Sequence, residues 1–285
     1  MDDAGTTHSA LPREVQPGVK VCADANGVAR AAARQFVEWA WQFIAREKCF
    51  CVALAGGNTP REMYRLLSTP EFRSQVDWAK VHLFWGDERA VPPDHPESNY
   101  GMARRELLVR IPIPSANVHR MEAERPDLGR AAQEYEELLR RYLRLDSNGL
   151  PRFHLVLLGL GADGHTASLF SGSRRLRDTL RWVSTPVHPK LRSRRMTLTL
   201  PVLNAAHQVL FLVTGAEKAW VLHEVLAGSS DPPLPAHLVT VPHGYRMFLV
   251  DKAAADLLQR EAASGLRRRT TRHAKSAEPE EGKVR

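Results

Sequence analysis

Three cysteines in 285 residues, Cys22, Cys49 and Cys51, give this chain neither a disulfide framework nor the spacing of a zinc module. Cys49 and Cys51 stand two apart in an apolar run, with no CxxC pair and no histidine near them in the sequence, so all three read as reduced core thiols. No stretch approaches the roughly 18 apolar residues of a membrane helix. The start, MDDAGTTHSALPREVQPG, is acidic and polar where a secretory leader would be basic and then apolar. The expectation is a cytoplasmic protein with no membrane partner. Aromatic residues are only 7% of the chain and do not interleave with its basic ones, which argues against nucleic acid as a partner. The net charge of +8 does not reverse this, because seven Lys/Arg against four Glu from residue 261 onward supply +3 of it. That tail, SGLRRRTTRHAKSAEPEEGKVR, has almost no apolar content and is expected to be disordered. The remaining positive charge suits solubility and an anionic small-molecule substrate.

Internal repeats and Pro/Gly/Ser linkers are also missing between residues 20 and 258. This predicts a flexible segment over 1–18, one α/β domain over 19–260, and the basic tail over 261–285. Within the domain, helix-periodic stretches alternate with continuous apolar runs of strand length. VARAAARQFVEWAWQFIAREK (28–48) and RAAQEYEELLRRYLRL (130–145) read as helices, and a further helix starts near Pro60. CFCVALA (49–55), VHLFWG (81–86), FHLVLLGL (153–160), QVLFLVTG (208–215) and RMFLVD (246–251) read as buried strands, MTLTLPV (196–202) as an alternating one. AEKAWVLHEVLAG and KAAADLLQREA follow the last two buried strands as helices. Continuous apolar strands between helices imply a mostly parallel sheet covered on both faces, a Rossmann-like three-layer α/β/α fold. Ligands of such sheets bind outside the carboxyl ends of the strands, so the strand-to-helix junctions are where chemistry is expected.

Each junction carries a signal. In ALAGGNTPREMYRLL, Gly56 and Gly57 permit a sharp turn, Thr59 can cap the helix, Pro60 suits its first position, and Glu62 completes a capping box. The helix start is a candidate phosphate site, although the lysine of a P-loop is missing. VHLFWGDER places Asp87, Glu88 and Arg89 at a strand end. In TGAEKAW, Lys218 lies in a first helical turn, where a cation is disfavoured by roughly 0.3–1 kcal/mol unless it faces an anion. GLGADGH, residues 159–165, has the glycines of a dinucleotide loop but no acidic residue about 20 positions on, which argues against NAD(P). Asp163 and His165 remain on that turn, a carboxylate beside a natural general base. No GxSxG elbow is present, so a covalent acyl-enzyme is not expected.

Four motifs in order, AGGNTP, FWGDERAVPPDHPESNYGMARREL, LLGLGADGHTASLFSG and RRMTLTLPVLNAAHQVLFLVTGAEKA, closely resemble the 6-phosphogluconolactonase family. Its fold is similar to that of glucosamine-6-phosphate deaminases, and the match spans roughly residues 20–258. The resemblance implies hydrolysis of 6-phospho-D-glucono-1,5-lactone to 6-phospho-D-gluconate in the oxidative pentose phosphate pathway, without metal or cofactor. It implies His165 as the general base, Asp163 and Asp87 orienting the histidine and substrate hydroxyls, and Arg89 holding this part of the site together. Substrate phosphate would lie on Gly56, Gly57, Asn58 and Thr59 with Arg195 and Lys218. A pathway link to glucose-6-phosphate dehydrogenase follows, without contact between the two proteins. The main alternative is the deaminase, which after its histidine typically continues I-A-F-N-E-P where this chain has TASLFSG. A non-catalytic sugar-phosphate sensor is the other, and the presence of both Asp163 and His165 disfavours it.

Overall fold

The computed structural model describes residues 13–16, 18–228 and 230–261. The remainder of the expected N-terminal segment, and the basic tail beyond Glu261, lie outside the described residues.

The long apolar-periodic stretch forms helix α1 (Ala25–Glu47). Asp24 starts it by accepting the Gly27 N–H at 2.8 Å, and Lys48, left-handed at φ 67°, ends it. Val28, Ala32, Phe36, Ala40 and Phe43 recur every three or four residues and bury one face. Phe36 meets Phe50 edge-on at 5.2 Å and stacks on Trp78 at 5.9 Å, a burial that stabilises by roughly 1.5–3 kcal/mol. The other helices are α2 (Asn58–Leu67), α3 (Pro70–Arg73), α4 (Asn99–Glu106), α5 (Leu128–Tyr142), α6 (Leu200–Ala205) and α7 (Ala219–Ala227), with a last helical turn from 256 to the end of the described residues.

The strands are β1 (Arg13–Gln16), β2 (Val19–Cys22), β3 (Phe50–Leu54), β4 (Val81–Trp85), β5 (Asp87–Arg89), β6 (Leu155–Gly159), β7 (Val183–Ser184), β8 (Arg195–Leu198), β9 (Gln208–Val213) and β10 (Tyr245–Asp251). Six of them form a parallel body in the order β2-β10-β9-β6-β3-β4, and the chain is a Rossmann-like three-layer α/β protein. All five residues of β3 are buried, as its continuous apolar run requires. From β3 the chain steps outward to β4, whereas from β6 it steps the other way, to β9 and β10. The reversal falls between β3 and β6, which is where such sheets open a crevice for a ligand.

Three local expectations are corrected, and one strand lies where no expectation placed it. Arg13–Gln16, expected within a flexible segment, forms an edge strand antiparallel to β2, because Gly18 at φ 77° turns the chain back at once. MTLTLPV is not a strand to residue 202: β8 stops at Leu198, and Thr199 begins α6, with Pro201 in its first turn. β8 is also outside the parallel sheet, pairing antiparallel with β5 and β7 in a second, three-stranded sheet. The last helix begins later than expected, at 256, because the Asp251 carboxylate accepts the Ala254 N–H and holds 252–255 in a turn.

Two histidines packed at the sheet resist protonation. Burial, then the His82 ring, holds His119 down at about 4, and burial, then the Arg152 guanidinium, holds His207 at about 4. Unfolded imidazoles take up a proton near pH 6.5, so between roughly pH 6.5 and 4 the unfolded chain binds more protons and stability falls as pH drops. Urea unfolding across that window is expected to show a loss on the order of 3 kcal/mol, discounted for the part of His207 that water reaches. A flat stability between those pH values would contradict neutral burial of the two rings.

Candidate active site

β3 ends at Leu54, and the next residue is fixed from both sides: the Tyr64 hydroxyl accepts the Ala55 N–H at 3.0 Å and donates to the Ala55 carbonyl at 2.8 Å. Tyr64 belongs to α2, so the turn through Gly56 and Gly57 is tied to the helix it leads into. The expected capping box does not form. Gly57, at φ 102°, is the N-cap, and Thr59 instead bonds the Thr214 hydroxyl at 2.8 Å. Glu62 pairs with Arg65 on the helix surface. The cause is the register of the turn, since two glycines let the helix begin one residue before Thr59. No side chain therefore caps α2, and its first-turn N–H groups are left for a ligand.

β6 ends in the second glycine turn. Gly161 N–H donates to the His165 carbonyl at 2.8 Å and Gly164 N–H to the Gly161 carbonyl at 3.0 Å, which closes the loop. Asp163 Oδ1 lies 2.5 Å from His165 Nδ1 and also accepts the His165 N–H at 3.3 Å. Burial raises the Asp163 carboxyl, and the charge and hydrogen bond of His165 more than offset it, leaving it below the usual carboxylate range. The ionised carboxylate accepts Nδ1–H, so the lone pair of His165 sits on Nε2. A Cβ on Gly161 would fall 2.1 Å from His165 Nδ1. That glycine thus makes room for the imidazole, not for a pyrophosphate.

β4 runs through Gly86 into β5, whose register on β8 sets Asp87 opposite Thr197 and Arg89 opposite Arg195. Asp87, 9% exposed, accepts from the Ser168 hydroxyl at 2.6 Å and from the Asn99 amide at 3.2 Å. Ser168 is itself placed by its N–H, which donates to Thr197 Oγ1 at 3.2 Å. Behind Asp87, the Glu88 carboxyl accepts the N–H groups of Arg89, Asn99 and Tyr100 at 2.7–2.8 Å, so it joins the N-terminus of α4 to β5. Burial raises Glu88, and those backbone N–H groups oppose the rise.

Between these junctions lies a cavity of about 280 Å³, near the lower end of small-molecule sites at about 300 Å³. Gly56, Gly57, Asp87, Arg89, His165 and Lys218 line it. Asp163 stands behind His165. Asn58 and Thr59 are in the first turn of α2 but do not line the cavity. Arg195, also outside the lining, is buried on β8 across from Arg89; burial, then the Arg89 charge, lowers its guanidinium. Lys218 forms the N-cap of α7 at the end of a short helical turn, one step earlier than the sequence suggested, and makes no ion pair among the described residues.

Sequence reasoning gave no role to Asn99, Ser168, Glu88 or Phe170. Ser98 and Asn99 carried a helix-start signal, and Ser98 does cap α4 by accepting the Gly101 N–H. Nothing local linked Asn99 or Ser168 to Asp87, 12 and 81 residues away. Phe170 packs its ring 5.2 Å from that of His165.

Fold and cavity define a Rossmann-like α/β protein built around a small-molecule site at the carboxyl edge of its sheet. A family model described as glucosamine-6-phosphate isomerases/6-phosphogluconolactonase matches residues 23–248. The chain belongs to that family. A 6-phosphogluconolactonase of Synechocystis sp. is 42% identical over 209 residues, 73% of this chain and 84% of that protein. One of Nostoc sp. is 37% identical over 211 residues, 74% and 85% of the two. The solved 6-phosphogluconolactonase of Trypanosoma brucei superposes with a TM-score of 0.78 at 34% identity, covering 85% of this chain and 99% of that one.

Proposed function

We propose that this chain hydrolyses 6-phospho-D-glucono-1,5-lactone to 6-phospho-D-gluconate by general-base activation of water. The family spans two activities, and one observation carries the choice: the position five after His165 is filled by Phe170, an apolar ring packed against the imidazole. A deaminase of the I-A-F-N-E-P type has a carboxylate there for ring opening. Among the described residues the only acid bonded to His165 is Asp163, on Nδ1, which orients a base without adding a second proton carrier.

His165 Nε2 takes a proton from water as the water oxygen bonds to the lactone carbonyl carbon. The tetrahedral adduct then expels the ring oxygen, which receives that proton. A δ-lactone is an activated ester, so a placed base, a bound water and donors to the oxyanion suffice. The Gly161 and Gly164 N–H groups are already spent on closing their turn, which favours Arg89 as the oxyanion donor. Asp87, held by Ser168 and Asn99, accepts from substrate hydroxyls. The phosphate lies at the uncapped start of α2 over Gly56, Gly57, Asn58 and Thr59, with Lys218 as its cation. Arg195 adds positive potential from behind Arg89. Among the described residues no helix is long and apolar enough to cross a membrane. Action in the cytoplasm on lactone made by glucose-6-phosphate dehydrogenase, without contact with it, is part of the same proposal.

The test follows loss of freshly made lactone against its spontaneous hydrolysis. No acceleration, with ammonia released from glucosamine 6-phosphate, sinks the proposal in favour of the deaminase. Lys218→Ala is expected to lower kcat/KM for the phosphorylated lactone by about 10- to 100-fold, one charge-assisted contact's worth, and to spare unphosphorylated glucono-1,5-lactone. Equal losses on both substrates would remove Lys218 from the phosphate site.

A further inference from the structure

At the opposite, amino-terminal edge of the sheet, the fold assembles a cluster that no local spacing announced. Cys49 and Cys51 flank the first residue of β3, and His154 directly precedes β6, its parallel neighbour. The metal-binding atoms of the three residues lie within 4.8 Å of one another, although His154 is 103 residues from Cys51 along the chain. Both ring nitrogens of His154 are already committed, however. Nδ1 accepts the Cys51 N–H at 2.8 Å, and Nε2 faces Glu47 Oε2 at 3.2 Å as the donor. A ring whose proton sits on Nε2 and whose Nδ1 holds a backbone N–H must give up one bond to ligate an ion. With the imidazole so fixed, and stacked on Phe43 at 4.5 Å, the groups free to react are the two thiols.

We propose that Cys49 and Cys51 form a reversible redox pair, oxidised by hydroperoxides to an intrachain disulfide across the α1–β3 joint. Cys49 is the half-buried member and Cys51 the buried one, so peroxide meets Cys49 first. A cavity of about 30 Å³, lined by both thiols, Glu47, Arg144 and His154, gives room for a small oxidant. The hydrogen bond from the Cys51 S–H lowers the Cys49 thiol, against burial and the Glu47 charge, and the Arg144 charge adds to the lowering. The Cys49 thiolate attacks one peroxide oxygen, the O–O bond breaks, and hydroxide leaves as water, giving a sulfenic acid. Cys51 then loses its proton and attacks the Cys49 sulfur, expelling the sulfenic oxygen as a second water. Two thiols and one hydrogen peroxide thus give one disulfide and two waters. Residues two apart on an extended chain are at the upper limit of disulfide reach, about 6.8 Å between Cα atoms, so such a bond is labile and easily reduced. Cys49 sits just outside β3, in the connection from α1, where the backbone can bend to close it.

The full chain, treated with limiting hydrogen peroxide and then alkylated, is cut with trypsin. Cleavage after Lys48 and Arg61 puts both cysteines on one peptide. The expected product is that peptide lacking two hydrogens, resistant to alkylation and restored by dithiothreitol. Cys22, 3% exposed and alone, serves as the internal reference and should react at least about 10-fold more slowly. Cys51→Ser, which keeps a hydrogen-bond donor to Cys49 but cannot form a disulfide, should leave Cys49 trapped as a sulfenic acid that dimedone captures, whereas Cys49→Ala should leave Cys51 unreactive. Circular dichroism of both variants reports whether they are folded. The proposal is overturned if folded protein keeps both thiols alkylatable, if oxidation stops at sulfinic acid on Cys49, or if the purified chain holds stoichiometric zinc whose removal alone exposes the thiols.

Discussion

His165→Ala is expected to lower kcat for the phosphorylated lactone by about 10²- to 10⁴-fold over the rate left after subtracting spontaneous hydrolysis, with KM little changed. As the proposed general base, the imidazole would enter the reaction only as the water loses its proton, so its loss would fall on the transition state and not on the bound substrate. Its side chain is 31% exposed and, among the described residues, makes its close polar contact with Asp163 alone, so the thermal midpoint should not move. Comparing kcat, KM and melting temperature for the two proteins checks this. A variant with the wild-type rate would remove His165 from the chemistry, and a large drop in melting temperature would make the loss a folding effect.

Glu88→Ala is expected to have the largest effect on stability. Glu88, 2% exposed, is the shared acceptor for the N–H groups of Arg89, Asn99 and Tyr100 and for the Ser98 hydroxyl at 3.2 Å. Alanine takes the acceptor from all four donors, two of them buried and two half-buried, a cost of about 3–5 kcal/mol, or a fall in melting temperature on the order of 10 °C. Activity should fall with it, because Asn99 hangs from Glu88 by its backbone and holds Asp87 by its side chain. Glu88→Gln keeps one acceptor oxygen and should lose less than half as much. Thermal and urea unfolding decide the matter; an alanine variant as stable as wild type would mean that water replaces the carboxyl.

The sequence made the parallel strands legible because a strand buried on both faces must be apolar throughout, as Phe50–Leu54 and Leu155–Gly159 are. The pairing of Asp163 with His165 was legible because both lie on one turn. The second sheet was not: Asp87–Arg89 is three polar residues with no periodicity, and the alternation of β8 says that one face is buried without saying against what. Thr59 carried every local feature of a helix cap, and a tertiary bond to Thr214 took its hydroxyl. The support of Asp87 and the approach of His154 to the cysteines depend on contacts 12 to 103 residues apart, which the pattern along the chain does not encode.

The three-stranded sheet has a consequence for how the site can fail. One antiparallel ladder, β5 on β8, fixes Asp87 and Arg89 on one side and Thr197, and through it Ser168, on the other; Glu88 between them carries the start of α4. Fraying that ladder releases both acidic and basic groups of the pocket in a single event, while the parallel sheet that bears His165 stays closed. Local opening and loss of the proposed substrate contacts would therefore be one cooperative event, and a sugar phosphate bound as proposed, by bridging the two sheets, would slow its own escape.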